Sequence, residues 1–347
     1  MPDSHSVRLA DHTTLRLGGP TGEFVTAVTE TDLLAAVAAA DAAGEPVLVL
    51  GGGSNLVVAD AGFPGTVVKV ATTGVVTDVD AGAEPGCGGV LVSVAAGMVW
   101  DDLVALAVEN GWVGIEALSG IPGSVGATPI QNVGAYGQEV AQTIARVRVW
   151  DRTLRGVRTF AADECGFGYR HSRFKADPER HVVLDVTFQL RQGTLGAPVG
   201  YAELARTLDV AVGERAPLAD VRAAVLGLRA GKGMVLDPAD HDTWSAGSFF
   251  TNPLVPADQV PDGAPAWPQP DGLVKTSAAW LIDHAGCAKG YGTGPARLST
   301  KHPLALTNRC AATTYDLLAL AREVRDGVAA AYGVVLVNEP VLVGCEL

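Results

Sequence analysis

Residues 120–137 read GIPGSVGATPIQNVGAYG: five glycines, two prolines and no charged side chain. Interior Gly costs a helix about 1 kcal/mol and Pro about 3, so this is not an ordinary helix. It is also too long and too apolar for an incidental surface loop. Backbone this bare lets main-chain N–H groups approach a ligand closely, most often a phosphate. A second bare turn, GGGSN at 51–55, lies between two apolar runs. Two such turns in the first half of the chain point to one extended anionic ligand, such as a dinucleotide, held by backbone.

Other candidate motifs fail on spacing. The glycines at 51–53 do not complete a Rossmann fingerprint, because Leu56 stands where the third glycine belongs and no capped helix follows. GLRAGKG at 227–233 has three residues where a P-loop needs four, and Gly233 where Ser or Thr should hold the metal. Ser172-Arg-Phe-Lys175 and Lys275-Thr-Ser277 echo the signature of serine acyl-enzymes, but the middle element is missing. Seven histidines form no metal-binding pattern, and five scattered cysteines form no CxxC. Those cysteines read as apolar packing.

The elements that must position these turns are mixed. Residues 29–44 read as a capped helix and 46–50 as a buried strand entering the first glycine turn. Short strands are expected at 67–70, 75–79 and 91–95, a helix at 100–110, and strands at 144–151 and 182–190. Beyond residue 193, helices are expected at 201–212, 217–229, 274–285 and 314–332, and strands at 248–252, 304–307 and 334–343. No regular βαβ array is visible, so the class is α+β.

Composition narrows the setting. The 347 residues, 48% hydrophobic and 18% charged, suit two or three well-buried domains. A net charge of −13 argues against nucleic acid as a partner. No apolar run reaches the roughly 18–20 residues of a membrane span, and the charged first 20 residues hold no signal-peptide core; a cytoplasmic protein is expected. Lys is scarce, six against nineteen Arg, and charges beyond about 8 Å are screened, so a few local cations would have to hold any anionic ligand.

Five motifs in order along the chain carry a resemblance. GGGSN at 51–55, SGIPGSVGATPIQNVGAYG at 119–137, YRHSRFK at 169–175, AGSFFTNP at 246–253 and NEP at 338–340 together resemble the UDP-N-acetylenolpyruvoylglucosamine reductases, type I branch. The resemblance spans nearly the whole chain. It implies a two-part α+β flavin domain of the p-cresol methylhydroxylase (PCMH) type, followed by an α+β substrate-binding domain. The implied boundaries are 1–193 for the FAD-binding domain and 194–231 for a helical connection carrying a substrate-loop tyrosine. Residues 232–332 would form the substrate domain, and 333–347 a final strand returning to the flavin domain. It implies noncovalent FAD, NADPH as co-substrate, a UDP-sugar substrate and a monomer.

The same resemblance assigns residues. Arg170 would grip the substrate carboxylate with its planar fork, Ser248 would donate a proton, and Glu339 would help polarise the carboxylate. Tyr169, Tyr201, Lys232 and Asn252 would contact the substrate. For FAD, the implied set is Gly51, Gly52, Gly53, Ser54 and Asn55, then Ser119, Gly123, Ser124, Gly126 and Ala127, then Gln131, Asn132, Gly134, Ala135 and Tyr136. Lys275 and His302 lie in similar segments without a defined role. Read alone, Ser248 is a strand-start serine, Arg170 a surface cation, Glu339 a strand-edge charge and Tyr201 a core tyrosine. A non-catalytic flavin or nucleotide-sugar binder would leave Arg170, Ser248 and Glu339 unexplained. An O₂-using flavin oxidase would share only the flavin half.

Overall fold

The computed structural model describes residues 7–79 and 89–347; the cysteine at position 87 lies outside them. The chain divides into two compact units, each assembled from separate stretches. One combines residues 23–52 with 65–230; the other combines residues 1–22, 53–64 and 231–347.

The first unit is built on an antiparallel sheet in the order Gly156–Ala161, Ile144–Asp151, His181–Gln192, Gly89–Ala95, Val75–Val79, with Trp112–Val113 also paired to His181–Gln192. Alternation decides its faces: Val90, Val92 and Val94 are fully buried along one strand. Helix Trp100–Glu109 buries Trp100, Leu103, Val104 and Ala107 at helical spacing against this core. Helix Glu30–Ala43 begins where Thr29 accepts the Asp32 N–H and ends at Gly44, at φ 68°. It leads to strand Val47–Leu50, which pairs in parallel with residues 66–69. Residues 194–230 belong to this unit and form its second small core around Val199, Leu204, Val221 and Val225.

The second unit centres on helix Thr314–Tyr332, with a capping box at Thr313 and Asp316 and with Leu317, Leu318, Ala321, Val324 and Val328 buried. Helix Ala278–His284 and hairpin Ala296–Leu298/Leu306–Asn308 pack on the same core. Strand Val341–Val343 runs parallel to Leu56–Val58. No helix among the described residues is long and apolar enough to cross a membrane.

The expected helix 201–212 ends at Leu208 and the expected strand 304–307 is Leu306–Asn308; three further elements differ in kind. Residues 248–252 make one isolated bridge, Phe250 to Asn338, instead of a strand. Residues 334–343 are a strand only from Val341; before it the chain is extended, with Val334 and Leu336 buried and Val335 and Val337 exposed. The expected helix 274–285 is a strand, Val274–Thr276, before helix Ala278–His284. The Ser277 hydroxyl sets that change by accepting the Trp280 N–H at 3.2 Å.

Candidate active site

In the first unit the two glycine turns lie against each other. A Cβ on Gly52 would meet Gly123 Cα at 2.6 Å, and one on Gly51 would strike the Ser124 hydroxyl. Gly123 itself is at φ 127°, a conformation L side chains rarely adopt. A Cβ on Gly126 would meet Ala96 Cβ at 2.5 Å. Gly51, Gly52 and Gly126 are bare because neighbouring protein atoms occupy the space a Cβ would take. Such a cradle fits a ligand bound through main-chain groups, as a dinucleotide pyrophosphate is.

The long segment is pinned along its length. Asp101 accepts the Gly120 N–H at 2.6 Å and a two-pronged grip from Arg222 at 2.7 and 2.8 Å. Burial would raise its pKa, but the Arg222 and Gly120 hydrogen bonds hold it below the usual carboxylate range. Trp100 N–H donates to Gly123 O, Val125 N–H to Met98 O and Gly126 N–H to Ala96 O. The Ser119 hydroxyl is fully buried and donates to Glu116 O at 2.7 Å. Ala127 closes a 3₁₀ turn onto Ser124, and Pro129 opens the one-turn helix Thr128–Gln131. Gln131 is buried in that turn.

Asn132 ends the turn at φ 45° and ties down the chain on either side of it. Its amide donates to Glu139 and to Gly168 O, both at 2.9 Å, and its carbonyl accepts the Ala141 N–H. The side chain is therefore committed to the fold. Gly134 and Ala135 pair with Gln138 and Glu139 in a two-residue ladder. Gly168 and His171 exchange N–H···O bonds at 3.0 and 3.1 Å, which puts Tyr169 and Arg170 at the tip of a tight turn. Arg170 holds φ 51° there, strain that persists where surroundings impose it. Its guanidinium donates to Gly134 O at 3.3 Å and lies 5.4 Å from the Tyr169 ring. The Ser172 hydroxyl donates to Ile130 O at 2.7 Å, fixing the base of the turn. The Tyr136 and Tyr201 rings meet edge to face at 5.5 Å, with Tyr201 about half exposed. Tyr201 caps helix Ala202–Leu208 without a side-chain bond. Sequence reading passed over Arg229; burial pulls its guanidinium down to about 10, against the favourable fields of Tyr136 and Asp101.

The second unit brings Ser248, Glu339 and Asn55 into one neighbourhood. Glu339 N–H donates to Phe249 O at 2.8 Å, so the Glu339 backbone lies beside the residue after Ser248. Val341 N–H donates to Asn55 O at 2.9 Å, and the Asn55 amide reaches Glu339 O at 3.5 Å. Ser248 is half-buried, and its hydroxyl bonds to no other described residue. Ser54 belongs to this unit's stretch 53–64, and Gly53, at φ 63°, lies against His12 O. Lys232 is half-buried beside Gly233, whose own Cβ would meet Asp242 O at 3.0 Å. Asn252 spends its carbonyl on the Ala278 N–H at 3.0 Å. Lys275 stands on the middle strand of a small sheet, between Leu254 and Trp267, and His302 accepts the Leu304 N–H at 3.1 Å.

Asp242 fastens this region. It accepts from Thr300 N–H and hydroxyl at 2.8 and 2.5 Å and from Arg309 at 2.6 Å. Burial pushes its pKa up, but the Thr300, Ser299 and Arg309 bonds prevail and hold it at about 2. Lys301 pairs with Asp240 at 2.5 Å. Neither acid stands out in sequence, because the partners are about 60 residues away.

The bare two-turn cradle suits a dinucleotide cofactor, and the comparisons say which class of protein carries it. Residues 23–156 match the FAD binding domain family. Residues 237–343 match the UDP-N-acetylenolpyruvoylglucosamine reductase C-terminal domain. The chain is 62% identical over 344 residues to the UDP-N-acetylenolpyruvoylglucosamine reductase of Cutibacterium acnes, covering 98% of this chain and 90% of that one. It is 56% identical over 358 residues to that of Thermobifida fusca, covering 99% of each. The crystal structure of UDP-N-acetylenolpyruvylglucosamine reductase from Thermus caldophilus superposes with a TM-score of 0.67 at 27% identity, over 98% of both chains. The chain belongs to the UDP-N-acetylenolpyruvoylglucosamine reductase family. It is an FAD-dependent oxidoreductase, α+β, with a PCMH-type FAD-binding part and a substrate-binding part.

Proposed function

We propose that the chain reduces the enolpyruvyl group of UDP-N-acetylglucosamine enolpyruvate to give UDP-N-acetylmuramate, a step of peptidoglycan precursor synthesis, using NADPH. The observation that carries this reading is the half-buried Ser248 hydroxyl, bonded to no other described residue, on a segment hydrogen-bonded to Glu339. When bound, FAD supplies the hydride relay between NADPH and the carbon–carbon double bond. The chain's residues do the rest. Arg170, presented at a turn tip, holds the substrate carboxylate through its fork. Glu339 contacts the same carboxylate and helps withdraw charge from the double bond. Ser248 gives its proton to the carbon next to the carboxylate. A serine hydroxyl is a weak acid, so it works here only on a strongly basic centre at short range. Lys232 and the NH₂ end of Asn252 take the diphosphate, with Tyr169 and Tyr201 against the substrate. We assign 1–193 to FAD, 194–231 to the connection with Tyr201, 232–332 to the UDP-sugar and 333–347 to the strand that closes the fold. The enzyme is taken as cytoplasmic and monomeric.

The test is a two-stage titration of the purified protein without air. The yellow spectrum should bleach with NADPH and return on adding the enolpyruvyl UDP-sugar. A protein that bleaches but regains colour only with O₂ is an oxidase, and the reductase reading fails.

A further inference from the structure

We propose that Thr14 is a positioning residue for Ser248; the inference rests on reading Ser248 as the proton donor. Thr14 is engaged at both ends. Its main-chain N–H donates to Gly53 O at 3.1 Å, and its hydroxyl donates to the Ser245 carbonyl at 2.6 Å. Ser245 is 5% exposed, and its own hydroxyl accepts the Gly247 N–H at 3.2 Å. Gly247 turns the chain at φ 72°, and Ser248 comes next. Three links therefore run from Thr14 to the serine: hydroxyl to carbonyl, hydroxyl to N–H, and one left-handed turn.

The surrounding contacts make this segment a fixed strut. The Arg16 guanidinium lies 3.7 Å from the centre of the Trp244 ring. Asn308 N–H donates to Trp244 O at 3.1 Å, while its side-chain amide donates to Leu15 O at 3.0 Å. Beyond the serine, Phe249 N–H donates to Leu304 O at 2.7 Å. The Ser248 hydroxyl has no bond of its own to a described residue, so its position is set by backbone. Thr14 thus ties the GGGSN turn, at Gly53, to the segment bearing the proton donor. Misplacing a reacting group by about 1 Å costs on the order of 10²-fold in rate, so one strut bond matters to proton delivery.

The experiment uses the FAD-loaded full chain, with T14V to delete the hydroxyl and T14S to restore it. Stopped-flow would follow bleaching by NADPH and colour return with the enolpyruvyl UDP-sugar, the second also in D₂O. T14V should keep its flavin and bleach within about twofold of the parent. Colour return should slow by roughly ten- to hundredfold, with a larger solvent isotope effect, and T14S should recover most of the rate. On an S248A background, T14V should add little. T14V that slows both halves equally, slows neither, or is not rescued by T14S overturns the proposal. If S248A alone leaves colour return untouched, it is the proton-donor reading that fails. Should T14V not fold, S245A, which cuts the next link, must show the same selective slowing, and an unchanged S245A also overturns the proposal.

Discussion

In the unit carrying the long glycine segment, two bare turns distant in sequence pack on each other, and what matters at them is the side chain they lack. A Cβ on Gly52 would hit Gly123 backbone, one on Gly51 the Ser124 hydroxyl and one on Gly126 the Ala96 Cβ, while Gly123 is set apart by its φ of 127°. In the unit carrying Ser248 and Glu339, side chains count, and stretches far apart in sequence hold them. Residues 14–16, 53–58, 244–252, 299–309 and 338–341 are joined there by single hydrogen bonds such as Thr14 to Ser245 and Glu339 to Phe249. One unit uses bare, closely packed turns to build a cradle; the other uses long-range bonding to aim a few polar groups. Failures at the two kinds of place should therefore differ: loss of cofactor at the packed glycine turns, loss of chemistry with the cofactor retained at Ser248.

The sharpest way to break this contrast is Gly52→Val. Its Cβ must displace Gly123 backbone, and overpacking of this kind costs roughly 1–3 kcal/mol. The variant should emerge colourless, with free FAD restoring little; a fully yellow, active protein would remove the cradle argument. Ser248→Ala comes next. Colour return with substrate should fall by about 10²–10⁴, the span of a positioned general acid, while flavin content and bleaching by NADPH stay near those of the parent. Equal losses in both halves would mean the serine is misassigned. Arg170→Lys keeps the charge and loses the fork, so substrate turnover should weaken by about 1.5–3 kcal/mol with FAD content unchanged, measured as kcat/KM beside the flavin absorbance. A flavin-free variant would move Arg170 into the cofactor site.

The smallest effect concerns acid stability. Asp242 in one unit and Asp151 in the other are both held near 2, Asp151 chiefly by its Arg180 hydrogen bonds. Their folded pKa values lie below the unfolded one of about 3.9. The stability they contribute is thus present above about pH 4 and lost as pH falls toward 2. Asp242→Asn should lower stability at neutral pH by about 1–2 kcal/mol and flatten the decline between pH 4 and 2 in denaturant titrations. An unchanged pH slope would rule out a Thr300- and Arg309-stabilised carboxylate.

The same contrast explains what could be read from sequence. Helix 30–43 was legible because Thr29 and Gly44 are local signals, and helix 314–332 because its apolar period is regular. The bareness of 51–53 and 120–137 was visible residue by residue. Its cause, one glycine turn packed on the other, was not, because Gly52 and Gly123 are 71 positions apart. Residues 248–252 and 334–343 were expected as strands on their apolar content; apart from Val341–Val343 they share one isolated bridge, Phe250 to Asn338. Ser248, Arg170 and Glu339 are proposed through family motifs and not through their surroundings. Thr14, Asp101, Glu116 and Asp242 carry no motif, and their importance appears only once distant partners are in place.

Glu116 has a practical corollary for dissecting the protein. Its fully buried carboxylate accepts Gly114 N–H at 2.7 Å, the Gln138 amide at 3.0 Å and Ala197 N–H at 2.5 Å. The last of these donors lies in the stretch that sequence alone presents as a connector. Cutting the gene after residue 193 would remove that donor, and with it Arg222 from Asp101, leaving two acids under the glycine segment short of partners. Residues 194–230 thus pack with the unit that holds the long glycine segment, although they come late in it. A severed half meant to keep its shape has its natural seam at Gly231, and even there it must do without the short excursion 53–64, which the chain lends to the other unit.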